Sequence, residues 1–185
     1  MNERIFMATE TKAKAKTAKA SPSEEVVEEV RKPIVAKDVD LSQLIVVRNG
    51  YQGRLVYKSP RTHEKFVWPE FGTEQMIELM ELRNAKNTYK KYFINNWFMF
   101  DDEYAWVVDY LGMSQYYKHA LKVDEFDDIF SKSPSEIEKT VAKLSAGQKN
   151  SLSYRARQLI AEEGIDSNKA IAALEKSLGI ELVER

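Results

Sequence analysis

The segment from Glu81 to Asp102 constrains the fold most, because a charged helical surface runs there straight into the most aromatic stretch of the chain. Trp97-Phe-Met-Phe100 is an apolar run that has to be buried, either in this chain or in a partner. Each large aromatic ring buries roughly 150–250 Å², so this cluster alone can dominate a small core. Ahead of it, Met76, Leu79, Met80 and Leu82 are spaced like one face of a helix, leaving Glu78, Glu81, Arg83 and Lys86 for solvent. Thr73 is placed to cap that helix, and Asn84 to Asn87 predict a kink, since asparagine offers the backbone competing hydrogen bonds. Lys86, Lys90 and Lys91 interleave with Tyr89, Tyr92 and Phe93. A charge run beside an apolar stripe is the ordinary appearance of a surface helix, and that reading is preferred to a nucleic-acid surface.

Charge and residue usage narrow the function classes. The 28 basic and 29 acidic residues nearly cancel, so no overall field draws the chain to nucleic acid or to an anionic membrane. With no cysteine and only His63 and His119, disulfides and thiolate zinc sites are excluded and an imidazole-rich metal site is disfavoured. No metal ligand set and no cofactor site is assigned. The sequence contains neither a long apolar run nor a signal-peptide core, so secretion is not expected.

Residues 1–40 are expected to be a disordered charged tail. A lysine-alanine block from Lys12 to Lys19 precedes the acids Glu24, Glu25, Glu28 and Glu29, and such a segment cannot repay the entropy of ordering. Met7 is a second candidate start of translation. Residues 41–131 are expected to form an α+β domain. Leu44–Val47, Arg54–Tyr57 and Lys65–Trp68 predict three short strands in an antiparallel meander packed on helices. Asn49-Gly50 reads as a turn, because both residues tolerate positive φ. Gly50 and Gly53 match no phosphate-loop pattern. Asp101-Asp-Glu103 reads as a helix cap, with helices following at Tyr104–Leu111 and around Tyr116, Tyr117 and Leu121. Asp124–Phe130 lacks the spacing of a calcium loop and predicts a short acidic amphipathic helix.

Residues 132–185 form a C-terminal unit of three helices in this reading. Ser133-Pro-Ser-Glu136 is a full capping box, Ser145–Gln148 a turn, and Gly164 and Gly179 end the second and third helices. A trihelical unit admits a helix-turn-helix, in which Lys149, Tyr154, Arg155 and Arg157 would face nucleic acid. Ile180–Val183 adds an edge strand or docks as a tail.

Three blocks carry a resemblance: Val47 to Tyr57, Glu81 to Asp102, and Ser133 to Ile137 with Gly147 to Lys149. They resemble an uncharacterised family of bacteriophage-encoded proteins from phages of Gram-positive hosts, over about residues 44 to 185. The resemblance implies a phage setting and carries no catalytic residues to transfer. The expectation is therefore a non-enzymatic phage protein, located in the host cytoplasm or the virion. It would act by protein–protein contacts in the virion or its assembly, with other phage proteins or as a homo-oligomer. Trp97, Phe98 and Phe100 are its candidate partner-binding residues. The alternative is a DNA-binding regulatory or packaging accessory protein that uses the C-terminal unit and the lysine-rich tail.

Overall fold

The computed structural model describes residues 39–162, 164–165 and 167–183. Apart from Val39 and Asp40, the tail expected at 1–40, Met7 included, lies outside the described residues. The fold is α+β. Strands β1 (Leu44–Asn49), β2 (Leu55–Lys58), β3 (Lys65–Trp68) and β4 (Glu74–Glu78) lead into helices α1 (Leu79–Thr88) and α2 (Lys91–Ile94). The short strand β5 (Phe98–Met99) follows, then α3 (Ala105–Tyr110), α4 (Ser114–Tyr117), α5 (Pro134–Val141), α6 (Ala146–Ala161) and α7 (Asn168–Leu178). The three-stranded antiparallel sheet runs β4-β1-β5, and β2 pairs with β3 as a separate hairpin.

The strands expected at 44–47, 54–57 and 65–68 all form, but β1 is not paired with β2. Neither Asn49 nor Gly50 has positive φ, so no tight hairpin turn closes there. Instead the Asn49 amide donates to the carbonyls of Gly53 and Glu70, and its Oδ1 accepts from the Tyr51 N–H. The chain is thereby turned away from β1. The partner of β1 is β4, a stretch expected to open a helix capped by Thr73. Glu74-Gln-Met-Ile-Glu78 alternates with period two, burying Ile77 and exposing Met76, and the strand pattern wins. Thr73 donates its hydroxyl to the Glu70 carbonyl and caps no helix. Helix α1 then buries Leu79, Leu82 and Ala85 and runs without a break through Asn84 and Asn87, so the kink expected there is absent.

The aromatic cluster is the centre of the first core. Phe98 packs against Tyr57, Trp68, Tyr92 and Phe93 with ring centroids 4.9–5.7 Å apart. The hairpin covers the inner face of the sheet, where the Trp68 indole donates to the Val47 carbonyl at 2.8 Å and the Gln75 amide to the Val67 carbonyl at 3.0 Å. A second core lies under the C-terminal helices, built from Phe126, Ile129, Ile137, Val141, Leu152 and Leu174. Phe126 and Ile129 are buried as the amphipathic pattern requires, although the turn from Asp127 to Ser131 is a 3₁₀ helix. The Ser133 capping box opens α5, Gly179 ends α7 in the left-handed region, and Leu182 docks as a tail, its N–H bound by Glu175.

One turn joins the two cores. Asn96 adopts positive φ, and the Asn95-Asn96 backbone is wedged between Gly50 and Gly147. A Cβ at Gly50 would sit 2.1 Å from the Asn96 carbonyl oxygen, and one at Gly147 2.2 Å from that of Asn95. Ser145–Gln148, expected as a turn, is therefore an N-cap followed by the first residues of α6, and its glycine serves close approach. Polar groups close the joint. Ser151 Oγ donates to the Gly50 carbonyl, the Asn96 amide donates to the Tyr116 carbonyl, and the Gln148 side chain exchanges two hydrogen bonds with the Leu121 backbone.

Gly147→Ala is expected to destabilise the fold by about 1–3 kcal/mol or more, because backbone atoms of Asn95 cannot yield as a flexible side chain would. A lower urea midpoint at unchanged slope is the readout, and an unchanged midpoint would contradict the wedge.

Candidate functional site

The inner faces of both sheets are committed to the aromatic core, which leaves the outer face of the β1–β4 pair. Alternation fixes its membership: Leu44, Val46 and Arg48 from β1, and Glu74, Met76 and Glu78 from β4, with Val46 directly opposite Met76. Met76 is 63% exposed and Leu44 54% exposed, the two most exposed large apolar residues of the sheet. Met80, at the start of α1, is exposed close by in sequence. Two shallow clefts border this face, one lined by Val46, Glu74, Gln75 and Met76 and the other by Leu44, Arg61, Glu64, Phe66, Glu78 and Glu81 among others.

Charge is organised at both ends of the face. At one end Arg48 is shared by three carboxylates: Asp124 at 2.8 Å, Asp101 at 3.2 Å and Glu74 at 3.7 Å. The hydrogen bond from Arg48 holds the Asp124 carboxyl below the usual range. Asp102 pairs with Lys122 at 2.9 Å. The sequence reads Asp101-Asp-Glu103 as a helix cap. Asp101 does sit before the 3₁₀ turn Asp102–Tyr104, but its carboxylate makes no capping bond and reaches Arg48 instead.

At the other end lies a buried carboxylate. Glu81 is 3% exposed, accepting from the Tyr57 hydroxyl at 2.5 Å and from Arg61 Nε at 3.3 Å. Burial, and then the hydrogen bond to Glu81, push the Tyr57 phenol far above its ordinary pKa. The phenols of Tyr92 and Tyr117 are raised by burial as well.

The other candidates are placed differently. Phe98 is fully buried at the centre of the core and cannot meet a partner, which corrects its reading as a contact residue. Trp97 and Phe100 are half-buried: Trp97 meets Tyr51 and Tyr92 edge-on, and Phe100 packs on Phe93 and Tyr117. The run is internal because β5 pairs with Arg48 and Asn49 at the centre of the molecule.

Lys149, Tyr154, Arg155 and Arg157 share α6 but no common face, since at about 100° per residue they spread over roughly 240° of its circumference. Arg155 grips Asp127, with Nε 3.1 Å from each carboxylate oxygen, and Arg157 donates to the Glu181 carbonyl. Gly147, Gln148 and Ser151, at the N-terminal end of α6, are buried. A recognition helix presents that end to base edges. His63 and His119 are both exposed.

Among the described residues no group of three or more His, Cys, Asp or Glu side chains is placed to hold a metal ion. Among the described residues no helix is long and apolar enough to cross a membrane. Comparison with family models, with curated proteins and with solved structures gives no match.

A phenol whose pKa is raised on folding contributes its stability in full below the unfolded value of 10.0 and loses it as the pH rises toward the folded value. Folding stability is therefore expected to fall above about pH 10, as the unfolded chain releases protons that Tyr57, Tyr92 and Tyr117 retain in the fold. Tyr57→Phe should lower stability by about 1–3 kcal/mol near neutral pH, because Glu81 stays buried with one donor fewer, and should make the alkaline loss shallower. Urea unfolding between about pH 8 and pH 11 reads both effects, and identical alkaline slopes for the two proteins would contradict the assignment.

Proposed function

We propose that this chain works without catalysis, by protein–protein contact in a bacteriophage particle or during its assembly, in the host cytoplasm or the virion. The observation that carries this reading is the outer face of the β1–β4 pair, where Leu44, Val46 and Met76 form an apolar strip on an antiparallel sheet. Exposed apolar strips rimmed by charge are characteristic of interaction surfaces. The residues around it support the same use: Glu74 and Glu78 flank Met76 in sequence and on the face, so the strip is apolar at its centre and polar at its edges. The resemblance of Val47–Tyr57, Glu81–Asp102 and the capping-box region to phage-encoded proteins supports the setting. The partners proposed are other phage proteins, with further copies of the chain as a second class.

Met76→Lys is expected to change folding stability by less than about 0.5 kcal/mol, since the side chain is exposed, while weakening partner contact. A photo-crosslinking residue substituted for Met76 should join the chain to a discrete protein in phage-producing cells or in particles. The same residue at exposed Lys143 should not. Crosslinking from Lys143 alone, or no discrete product from position 76, would overturn the reading.

A further inference from the structure

Resting on that reading, the geometry points to a specific kind of partner: we propose that β4 accepts an extended segment of another protein as an added strand, with basic residues flanking an apolar one. Register settles which backbone groups of β4 are available. The ladder bonds Asn49 N–H to Thr73 O and Leu79 N–H to Gln43 O identify alternate pairs of this antiparallel ladder as hydrogen-bonded. In such a ladder Ile45 with Ile77 and Val47 with Gln75 exchange both bonds, and the N–H and C=O groups of Glu74 and Met76, with the N–H of Glu78, point to the far edge. Among the described residues the N–H and C=O groups of Glu74 and Met76 and the N–H of Glu78 have no backbone hydrogen-bond partner, while the Glu78 carbonyl, at the N-cap of α1, is taken by the first helical turn. β4 is the terminal strand of its sheet, so this edge is a template for a further strand.

Charge selects what that strand carries. In the register that pairs the whole of β4 with β4 of a second copy, Glu74 of each chain would face Glu78 of the other, and like charges directly opposite are destabilising. A segment with basic residues opposite Glu74 and Glu78 and an apolar residue opposite Met76 is complementary instead. Both acids are only partly compensated internally, Glu74 pairing at 3.7 Å with an Arg48 shared with two other carboxylates and Glu78 at 3.9 Å with an Arg61 that also serves Glu81. At the Glu78 end a cleft of about 310 Å³ combines the apolar Leu44 and Phe66 with Glu64, Glu78 and Glu81. Its one basic residue, Arg61, is already bonded to Glu81. A lysine or arginine of the incoming strand would lay its stem on Leu44 and Phe66 and present its head to Glu64 and Glu78.

The test is fluorescence anisotropy with the full chain and a labelled peptide Thr-Lys-Thr-Val-Thr-Lys-Thr. Two control peptides replace both lysines by glutamate or methylate the valine amide nitrogen. Binding of the lysine peptide is expected to exceed that of either control by at least roughly tenfold. The Glu74→Lys, Glu78→Lys double variant, verified as folded by circular dichroism, should reverse the preference between lysine and glutamate peptides. Equal binding of the lysine and glutamate peptides, undiminished binding of the methylated one, or no binding of any overturns strand addition. If crosslinking from Met76 persists in that case, contact through the face survives without strand addition, whereas its loss would remove both.

Discussion

The molecule depends on a backbone turn that tolerates no side chain on either flank. Asn95 and Asn96 pass between Gly50 and Gly147, and each glycine occupies a position where a Cβ would collide with a carbonyl. Because Gly50 follows β1 and Gly147 lies in the first turn of α6, this turn fixes the aromatic core and the helical core against each other. Burying so much backbone demands partners for it. They come from the Gly50 N–H on the Trp97 carbonyl, from Ser151 on Gly50, and from Gln148, which imitates a strand neighbour toward Leu121. Asn96 Oδ1 and Trp97 Nε1 are buried beside the turn without a hydrogen-bond partner among the described residues.

The same joint explains why the other described elements leave the outer face uncovered. With β5 drawn to Arg48 and Asn49 by the turn, and the β2–β3 hairpin on the inner face, the aromatic rings are consumed internally. Leu79, Leu82 and Ala85 of α1 and Phe93 of α2 are supplied to that core too. Among the described residues what remains outside is the even-numbered set of β1 and β4, in which acids alternate with Met76 on the terminal strand. Acids on a terminal strand are a familiar way of discouraging pairing with copies of the same chain. They also define which other strand is welcome.

Much of the local structure was legible in the residues. Three strands, the Ser133 capping box, the Gly179 stop and the two apolar sets follow from periodicity and cap chemistry, because these act over a few residues. The misreadings lie where two periods share residues or where the partner is remote. Met76, Leu79, Met80 and Leu82 satisfy helical spacing, yet Met76 also sits in a five-residue alternation, and only pairing with β1 decides between them. Gly50 and Gly147 are indistinguishable in sequence from turn glycines, since what excludes a side chain is the Asn95-Asn96 backbone far along the chain. The Glu81 carboxylate, with Tyr57 and Arg61 more than a dozen residues away, has no local signal, and helical spacing alone assigns it to solvent. The aromatic run signalled burial correctly, but whether its burial was internal depended on the placement of β5.

Amide hydrogen exchange along β4 tests the account most directly, because the free edge and the ladder to β1 occupy alternate residues of one strand. The N–H groups of Gln75 and Ile77 should exchange slowly, at the rate set by opening of the sheet, while that of Met76 exchanges many times faster. A Met76 amide as protected as that of Ile77 would mean the far edge of β4 is already occupied, and the strand could not serve a partner.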